Sequence, residues 1–328
     1  MGTLPDPAIP LDQQTAYEVV LGVLDGAYDE DSLVAFLTAM AERDETSAEI
    51  AGAALAMREH MITIAAPPGA IDVCGTGGDG AHSLNISTAV AIVVAGAGVP
   101  VAKHGNRAAS SKAGAADTLE ALGLDLDRAS DRAEGSLAEI GLCFLFAQKH
   151  HPALKPLGPI RKRIGRRTIF NLLGPICNPA GVTRQLIGVA RPDFLPIYAR
   201  AIDLIGCDAM MLVAGDEPLD ELSIGGPSST FRIGDIGDGP ERIEPGTAGL
   251  SRHPLDAIRG GDPAYNAAAL TRLLDGETGA YRDAVLLNAA AALIVAGKAD
   301  DWSTGVAIAE EAIDSHAARD LLARWIAY

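Results

Sequence analysis

Two stretches of this 328-residue chain carry residue types and spacings suited to phosphate and metal chemistry. The first spans residues 72–120, DVCGTGGDGAHSLNISTAVAIVVAGAGVPVAKHGNRAASSKAGAADTLE. Its Gly75-Thr76-Gly77-Gly78-Asp79-Gly80 turn follows an apolar run, and residues without Cβ let backbone N–H groups approach a phosphate closely. Asn85, Ser87 and Thr88 precede the apolar segment 89–95 and so predict a helix N-terminus, where free N–H groups, the helix dipole and hydroxyls favour anions. A second strand over Val99 to Ala102 leads into Lys103-His104-Gly105-Asn106-Arg107, and Ser110-Ser111 read as a capped start for the next helix. Between Asp79 and Asp117 there is no Asp or Glu, although the chain has 43 acidic against 26 basic residues. That acid-free run holds Lys103, Arg107, Lys112, His82 and His104, a basic segment that calls for an anionic ligand.

The second stretch is Leu219-Asp220-Glu221-Leu222-Ser223, a loop after the apolar run 210–214. Adjacent carboxylates suit Mg²⁺, which takes few protein carboxylates and completes its shell with water and substrate phosphates. An isolated acidic pair is ordinarily a solvated turn, so its company decides its meaning. Loops at the carboxyl ends of neighbouring strands face one crevice in an open α/β sheet, the usual ligand position. The glycine turn also fits G-x-G-x-x-G, but a dinucleotide site needs an acid about 20 residues on, and the second strand ends in Lys103 instead. No G-x-x-x-x-G-K-[ST] occurs, which argues against a P-loop nucleotidase.

Four segments in order, GTGGDG, NIST, KHGNRAASSKAGAADTLEALG and RTIFNLLGPICNPAG, resemble the signature segments of the anthranilate phosphoribosyltransferases of tryptophan biosynthesis. The resemblance covers nearly the whole chain. It implies transfer of the phosphoribosyl group of 5-phosphoribosyl 1-pyrophosphate (PRPP) to the amine of anthranilate, the second step from chorismate, with Mg²⁺ as cofactor. It places Gly75, Gly78, Asp79, Ser83, Asn85, Ile86, Ser87 and Thr88 around PRPP, with Lys103, Gly105, Asn106, Arg107, Ser110, Ser111 and Ala115. It places Gly75, His104, Asn106, Arg161 and Pro175 around anthranilate, the planar fork of Arg161 suiting the carboxylate. Ser87, Asp220 and Glu221 match its metal ligands. No catalytic acid or base is firmly assigned. An aromatic amine is neutral at pH 7, so His104 and Asn106 are expected to position it while Mg²⁺ and backbone amides stabilise the leaving pyrophosphate. His82 and Arg167 have no assigned role. Ala108, Ala113 and Ala115 stand where the family often has Ser or another small residue, Ser83 where Thr is common, and 211–215 lacks the His that often precedes its Gly in the family. At Ala115 this removes one phosphate contact.

Two other readings compete. A pyrimidine-nucleoside phosphorylase shares the general architecture but calls for a different Lys-Ser-type loop at Lys103 to Arg107. A non-catalytic nucleic-acid-binding relative would be basic with degraded motifs, whereas this chain has a formal charge of −17 and keeps them.

The elements that position these residues predict an α/β protein with a small all-helical N-terminal domain. Residues 13 to about 61 read as three helices from their apolar spacing, the third opened by the capping box Thr46-x-x-Glu49. The helical domain spans 1–66, joined by about 154–181, and 67–328 is an α/β domain with a mainly parallel central sheet flanked by helices. Strands are expected at 142–146, 186–190, 210–214 and 229–233, helices at 133–140 and 194–204, and three closing helices at 265–274, 281–296 and 304–327. His150-His151-Pro152-Ala153 reads as a loop. The run 161–167 reads as a basic crossing whose Lys162, Arg163 and Arg166 form a solvated face. In the family the helical domain makes a homodimer. No apolar run reaches the roughly 18 residues of a membrane span, and MGTLPDPAIPLDQQ has no signal-peptide pattern. The four cysteines are scattered and never in C-x-x-C spacing, as expected of buried thiols in a reducing cytoplasm.

Overall fold

Short strands of five to seven residues build the centre of the computed structural model, which describes residues 2–108, 112–217 and 219–328. Strands β1 (Ile71–Gly75), β2 (Val101–Gly105), β3 (Leu142–Phe146), β4 (Arg184–Gly188) and β5 (Ala209–Gly215) pair in parallel. Two antiparallel strands, β6 (Ser228–Gly234) and β7 (Gly239–Ile243), close one edge. The sheet order is β3-β2-β1-β4-β5-β6-β7. The chain winds outward from β1 to β3, then restarts at β4 on the other side. The crevice at the carboxyl ends of β1 and β4 is therefore the topological switch point of the sheet.

The helical unit consists of α1 (Gln13–Leu24), α2 (Glu30–Glu42) and α3 (Ser47–Glu59). Around the sheet follow α4 (Ile86–Gly96), α5 (Ala115–Ala121), α6 (Leu126–Asp131), α7 (Ala133–Glu139), α8 (Ala147–His150), α9 (Leu157–Ile164), α10 (Phe170–Ile176) and α11 (Leu195–Ile205). The chain ends in α12 (Pro263–Leu274), α13 (Ala280–Val295), α14 (Trp302–Asp314) and α15 (Ala317–Ala327).

Strand periodicity divides the core. On one face Val73, Leu186, Met211 and Val213 pack against α4 and the closing helices. On the other, Ile187, Met210, Leu212 and Ala214 join one continuous cluster with α1–α3, α9, α10 and α11. The helical unit therefore seals one face of the sheet and shares its core.

Several sequence expectations need correction. Lys103 and His104 belong to β2, buried within the sheet, where a loop was expected. The helix after the basic loop starts at Ala115, because Asp117 accepts the Gly114 N–H (2.9 Å) and the Ala108 N–H (3.0 Å) and so caps it there. Ser110 and Ser111 lie outside the described residues. The short α6 and β7 were not foreseen, and His150 ends α8 with both His150 and His151 buried. The expected final helix is two helices broken at His316, whose φ of 62° no α-helix accommodates. Most of the basic crossing is α9, ended by left-handed Gly165. There Arg163 and Arg166 are exposed and pair with Asp31 and Glu42 of α2. All four cysteines are free, but only Cys143 and Cys177 are buried, while Cys74 and Cys207 are partly exposed.

The helical unit has its own polar anchor. Glu49 is fully buried and accepts from the Leu11 N–H (2.9 Å), the Thr46 N–H (2.8 Å) and hydroxyl (2.9 Å), and the Arg43 guanidinium. Burial raises its pKa, but the bonds from Arg43, Leu11 and Thr46 outweigh that and hold it below the ordinary glutamate value. A carboxyl depressed in this way contributes stability above its unfolded pKa, and the contribution is lost as pH falls through the folded value. Glu49→Ala is expected to lower the unfolding free energy by about 3 kcal/mol in urea titrations at pH 7, since it strands Arg43 and two backbone donors. A change within experimental error would show that the anchor contributes nothing.

Candidate active site

The loops that follow β1, β2 and β5 converge on one cleft of about 340 Å³ at the switch point. The glycine turn forms one wall and the acidic loop after β5 another. Two close approaches fix their geometry. A Cβ at Gly75 would sit 2.2 Å from Asp220 Oδ2, and one at Gly188 would sit 1.5 Å from the Asp220 carbonyl oxygen. Only glycine at the ends of β1 and β4 lets the acidic loop fold back across both strands. Asp220 Oδ2 then accepts the Gly77 N–H at 2.7 Å, and Asp79 Oδ2 accepts the Asp220 N–H at 3.2 Å.

This packing brings Asp79, Asp220 and Glu221 together, with one carboxylate oxygen from each within 4.8 Å of the others. Burial, then the Asp79 charge, raises the Asp220 pKa. Burial, then Asp220 and Asp79, raises Glu221 well above the ordinary value. Glu221 Oε2 is buried with no partner among the described residues. Crowded oxygens of this kind, one left without a donor, fit a divalent cation. The expected ligand set was Ser87, Asp220 and Glu221. Asp79, expected at PRPP, joins that group, and the Ser87 hydroxyl accepts from Lys103 Nζ at 3.3 Å.

Lys103 is buried, and its Nζ also donates to the Val73 carbonyl at 2.7 Å. Burial lowers its pKa, against the attraction of Asp72, Glu221 and Asp220. Asp72 is fully buried behind it, accepting the His104 N–H at 3.0 Å and the Asn178 amide at 2.8 Å. Asn85 is the N-cap residue of α4, so the N-terminus of that helix stands at the cleft with Ser83, Asn85 and Ser87 in its lining.

His104 lines the cleft, yet both of its ring nitrogens are engaged. Nδ1 donates to the Gly174 carbonyl at 2.9 Å, which leaves Nε2 as the acceptor for His151 Nε2–H at 3.2 Å. Burial first, then His151, lowers the His104 pKa to about 3, and burial lowers that of His151 to about 4. His104 is thus a neutral wall, unsuited to proton transfer. His151 was read as a loop residue, and nothing in its local sequence signals this contact.

Gly75, Gly78, Gly105, Asn106 and Ala115 also line the cleft, as does His82. Asn106 Oδ1 accepts the Arg107 N–H at 2.8 Å, so its side-chain amide nitrogen remains to act as a donor. Arg107 lines the cleft too, but its guanidinium is committed to Asp117 (2.9 Å) and to Glu120. Of the cations of that segment, Arg107 is therefore neutralised by ion pairs. Four expected site residues do not line the cleft. Ile86 and Thr88 are buried in α4, where helix geometry turns their side chains inward. Pro175 is buried in α10 with its carbonyl accepting from Gln185 at 2.7 Å. Arg161 is half-buried on α9, and no hydrogen bond or ion pair engages its guanidinium among the described residues. Arg167 lies over the Phe194 ring, 5.3 Å from its centroid, as a packing residue.

Comparison with known proteins agrees with this arrangement. Residues 8–61 match the helical bundle domain of a glycosyl transferase family, and residues 67–319 match the α/β domain of a glycosyl transferase family. The chain is 58% identical over 327 residues to the anthranilate phosphoribosyltransferase of Novosphingobium aromaticivorans, covering 100% of this chain and 99% of that protein. The crystal structure of anthranilate phosphoribosyltransferase from Thermus thermophilus superposes with a TM-score of 0.92 at 41% identity, covering 98% of this chain and 96% of that one. The enzyme from Saccharomyces cerevisiae in complex with PRPP and Mg superposes with a TM-score of 0.86 at 30% identity, covering 98% and 93%. These matches do not favour the nucleoside-phosphorylase or nucleic-acid-binding readings. With both of its parts matched and its full length aligned, the chain belongs to the anthranilate phosphoribosyltransferase family.

Proposed function

We propose that this chain transfers the phosphoribosyl group of PRPP to the amine of anthranilate, giving N-(5-phosphoribosyl)anthranilate and pyrophosphate in tryptophan biosynthesis. The observation that carries the reading is the meeting of a carboxylate trio, a glycine-rich turn and the N-terminus of α4 in a single cleft. The anthranilate nitrogen forms its bond to the anomeric carbon as the bond to the pyrophosphate oxygen breaks, and the amine then gives a proton to solvent.

The backbone amides of the glycine turn and the first turn of α4 bind phosphate oxygens, with Lys103 beneath them. Asp79, Asp220 and Glu221, with the Ser87 hydroxyl as a further donor, would hold Mg²⁺. When bound, Mg²⁺ neutralises the negative charge that develops on the departing pyrophosphate. His104 packs as a neutral face that orients the aromatic amine, and the side-chain N–H of Asn106 offers it a hydrogen bond. The unpaired guanidinium of Arg161 supports its role as the partner of the anthranilate carboxylate. The role of Pro175 is indirect, since it holds the chain that presents the Gly174 carbonyl to His104.

The same proposal extends to assembly and setting. Residues 1–66 with about 154–181 form the helical unit, 67–328 the α/β unit, and a homodimer forms through the helical unit. Ile9 at 62% and Ile62 at 55% exposure offer apolar surface there. Four free cysteines suit a reducing cytoplasm, and no helix of the described residues is long and apolar enough to cross a membrane.

Purified protein with PRPP and Mg²⁺ is expected to consume anthranilate, read as loss of its fluorescence, and a chelator is expected to stop it. No consumption by folded, metal-supplied protein would mean another acceptor. Asp220→Asn is expected to cut turnover about 100-fold without a change in circular dichroism, the size lost when one charge-stabilising group goes. Unchanged turnover at saturating Mg²⁺ would remove Asp220 from the metal site. Arg161→Ala is expected to raise KM for anthranilate about tenfold or more and KM for PRPP much less. The reverse order would mean that the two pockets are exchanged.

A further inference from the structure

The glycine turn and the start of α4 rest on a segment far away in sequence. The Leu84 N–H donates to the Ile258 carbonyl at 2.8 Å, the Gly260 N–H donates to the His82 carbonyl at 2.7 Å, and Ser83 forms a β-bridge with Arg259. A Cβ at Gly260 would lie 2.5 Å from the Ser83 carbonyl oxygen, so this backing is in direct contact. At its end stands Asn266 in the first half of α12, a side chain only 2% exposed, with no part in the chemistry described above.

We propose that Asn266 is a positioning residue that fixes the Asn85 side-chain amide with its N–H toward the phosphate side of the cleft, an inference that rests on the PRPP reading above. The donor and acceptor order follows from one backbone group. The Gly261 N–H reaches an Asn266 side-chain atom at 2.8 Å, and because an N–H can only donate, that atom is Oδ1. The other end of Asn266 is then the amide nitrogen, which donates at 2.9 Å to Asn85. The atom of Asn85 that receives it is therefore Oδ1, and the Thr118 hydroxyl donates to the same oxygen. With both donors on Oδ1, Asn85 Nδ2 is left on the side of the cleft. Its one contact among the described residues is the Ala113 carbonyl at 3.4 Å, which leaves a second N–H unspent. Asn85 and Ala113 both line the cleft, so that N–H is offered where an anionic oxygen would sit. The Asn85 backbone carbonyl is held as well, by the Tyr281 hydroxyl at 3.3 Å. Asn266 touches no cleft surface and reaches it through Asn85, while its Oδ1 anchors the Gly261 N–H.

An amide flipped by 180° would present Oδ1 to phosphate and turn an attraction into a repulsion. The variants Asn266→Ala, Asn266→Asp, Asn85→Ala and Asn85→Ala/Asn266→Ala are compared in the full-length protein by steady-state kinetics in both substrates. Asn266→Ala frees the amide to rotate and is expected to raise KM for PRPP about fivefold. Asn266→Asp keeps an oxygen for Gly261 but faces Asn85 with a second one, so the rise is expected to reach about 20-fold. KM for anthranilate and kcat stay within about twofold of wild type in both, on the same reasoning. In the Asn85→Ala background, Asn266→Ala is expected to add nothing, since the group it acts through is gone. Equal rises in both KM values, or an undiminished effect of Asn266→Ala in that background, would overturn the proposal. Should the Asn266 variants not fold, Asn85→Asp keeps both accepted bonds but has no N–H to offer. A rise in its KM for PRPP supports the proposal and an unchanged value overturns it. Wild-type protein that does not consume PRPP and anthranilate sinks the functional reading before any variant is compared, so the two failures are distinct.

Discussion

The structure of the site depends on three carboxylates forced together by backbone contact. Asp220 lies across the ends of β1 and β4 because Gly75 and Gly188 have no side chains to keep it away. Its own N–H bonds to Asp79, and its carboxylate takes the Gly77 N–H, so the glycine turn and the acidic loop hold each other. Burial and the neighbouring carboxylates raise the pKa values of Asp220 and Glu221, and like charges this close oppose the fold. A divalent cation bound among them would relieve that opposition. The glycines at the ends of β1 and β4 clear the space in which the three carboxylates meet.

Around that trio the remaining charges are placed with little redundancy. Arg107 is tied to Asp117 and Glu120 at the start of α5, which leaves Lys103 as the cation in the floor of the cleft. Lys103 is attracted by the charge of buried Asp72, whose carboxylate accepts from the backbone of His104 and from Asn178. One buried carboxylate therefore links Lys103, by charge, to the backbone of His104, by a hydrogen bond. His104 and His151 share one hydrogen bond, and burial keeps both neutral. Orientation and charge neutralisation, with His104 and His151 held neutral, suit a reaction whose nucleophile is already neutral.

Much of this was legible in the chain itself. The glycine turn, the polar start of α4 and the acidic pair after β5 stand in local patterns, and local patterns fix helix caps and strand ends. The α/β architecture and the helical N-terminal unit follow from apolar periodicity in the same way. What the sequence hid was pairing across distance. Nothing near Asp79 tells that it meets Asp220, and nothing near Arg107 tells that its charge is spent on Glu120, thirteen residues on. His151 and Asn266 gain their roles only from contacts with residues 47 and 181 positions away. Boundaries failed where backbone capping overrode composition, as at Gly114 with Asp117 and at left-handed His316.

The most direct test of the carboxylate trio as a cation site is calorimetric titration of pyrophosphate into the protein, with Mg²⁺ and with chelator, in wild type and Glu221→Gln. The account predicts tight binding by wild type only when Mg²⁺ is present, and a loss of most of that Mg²⁺-dependent gain in the variant. Equal affinity of wild type for pyrophosphate with Mg²⁺ and with chelator would contradict it, because the anion would then be held without any cation between the carboxylates and the phosphates.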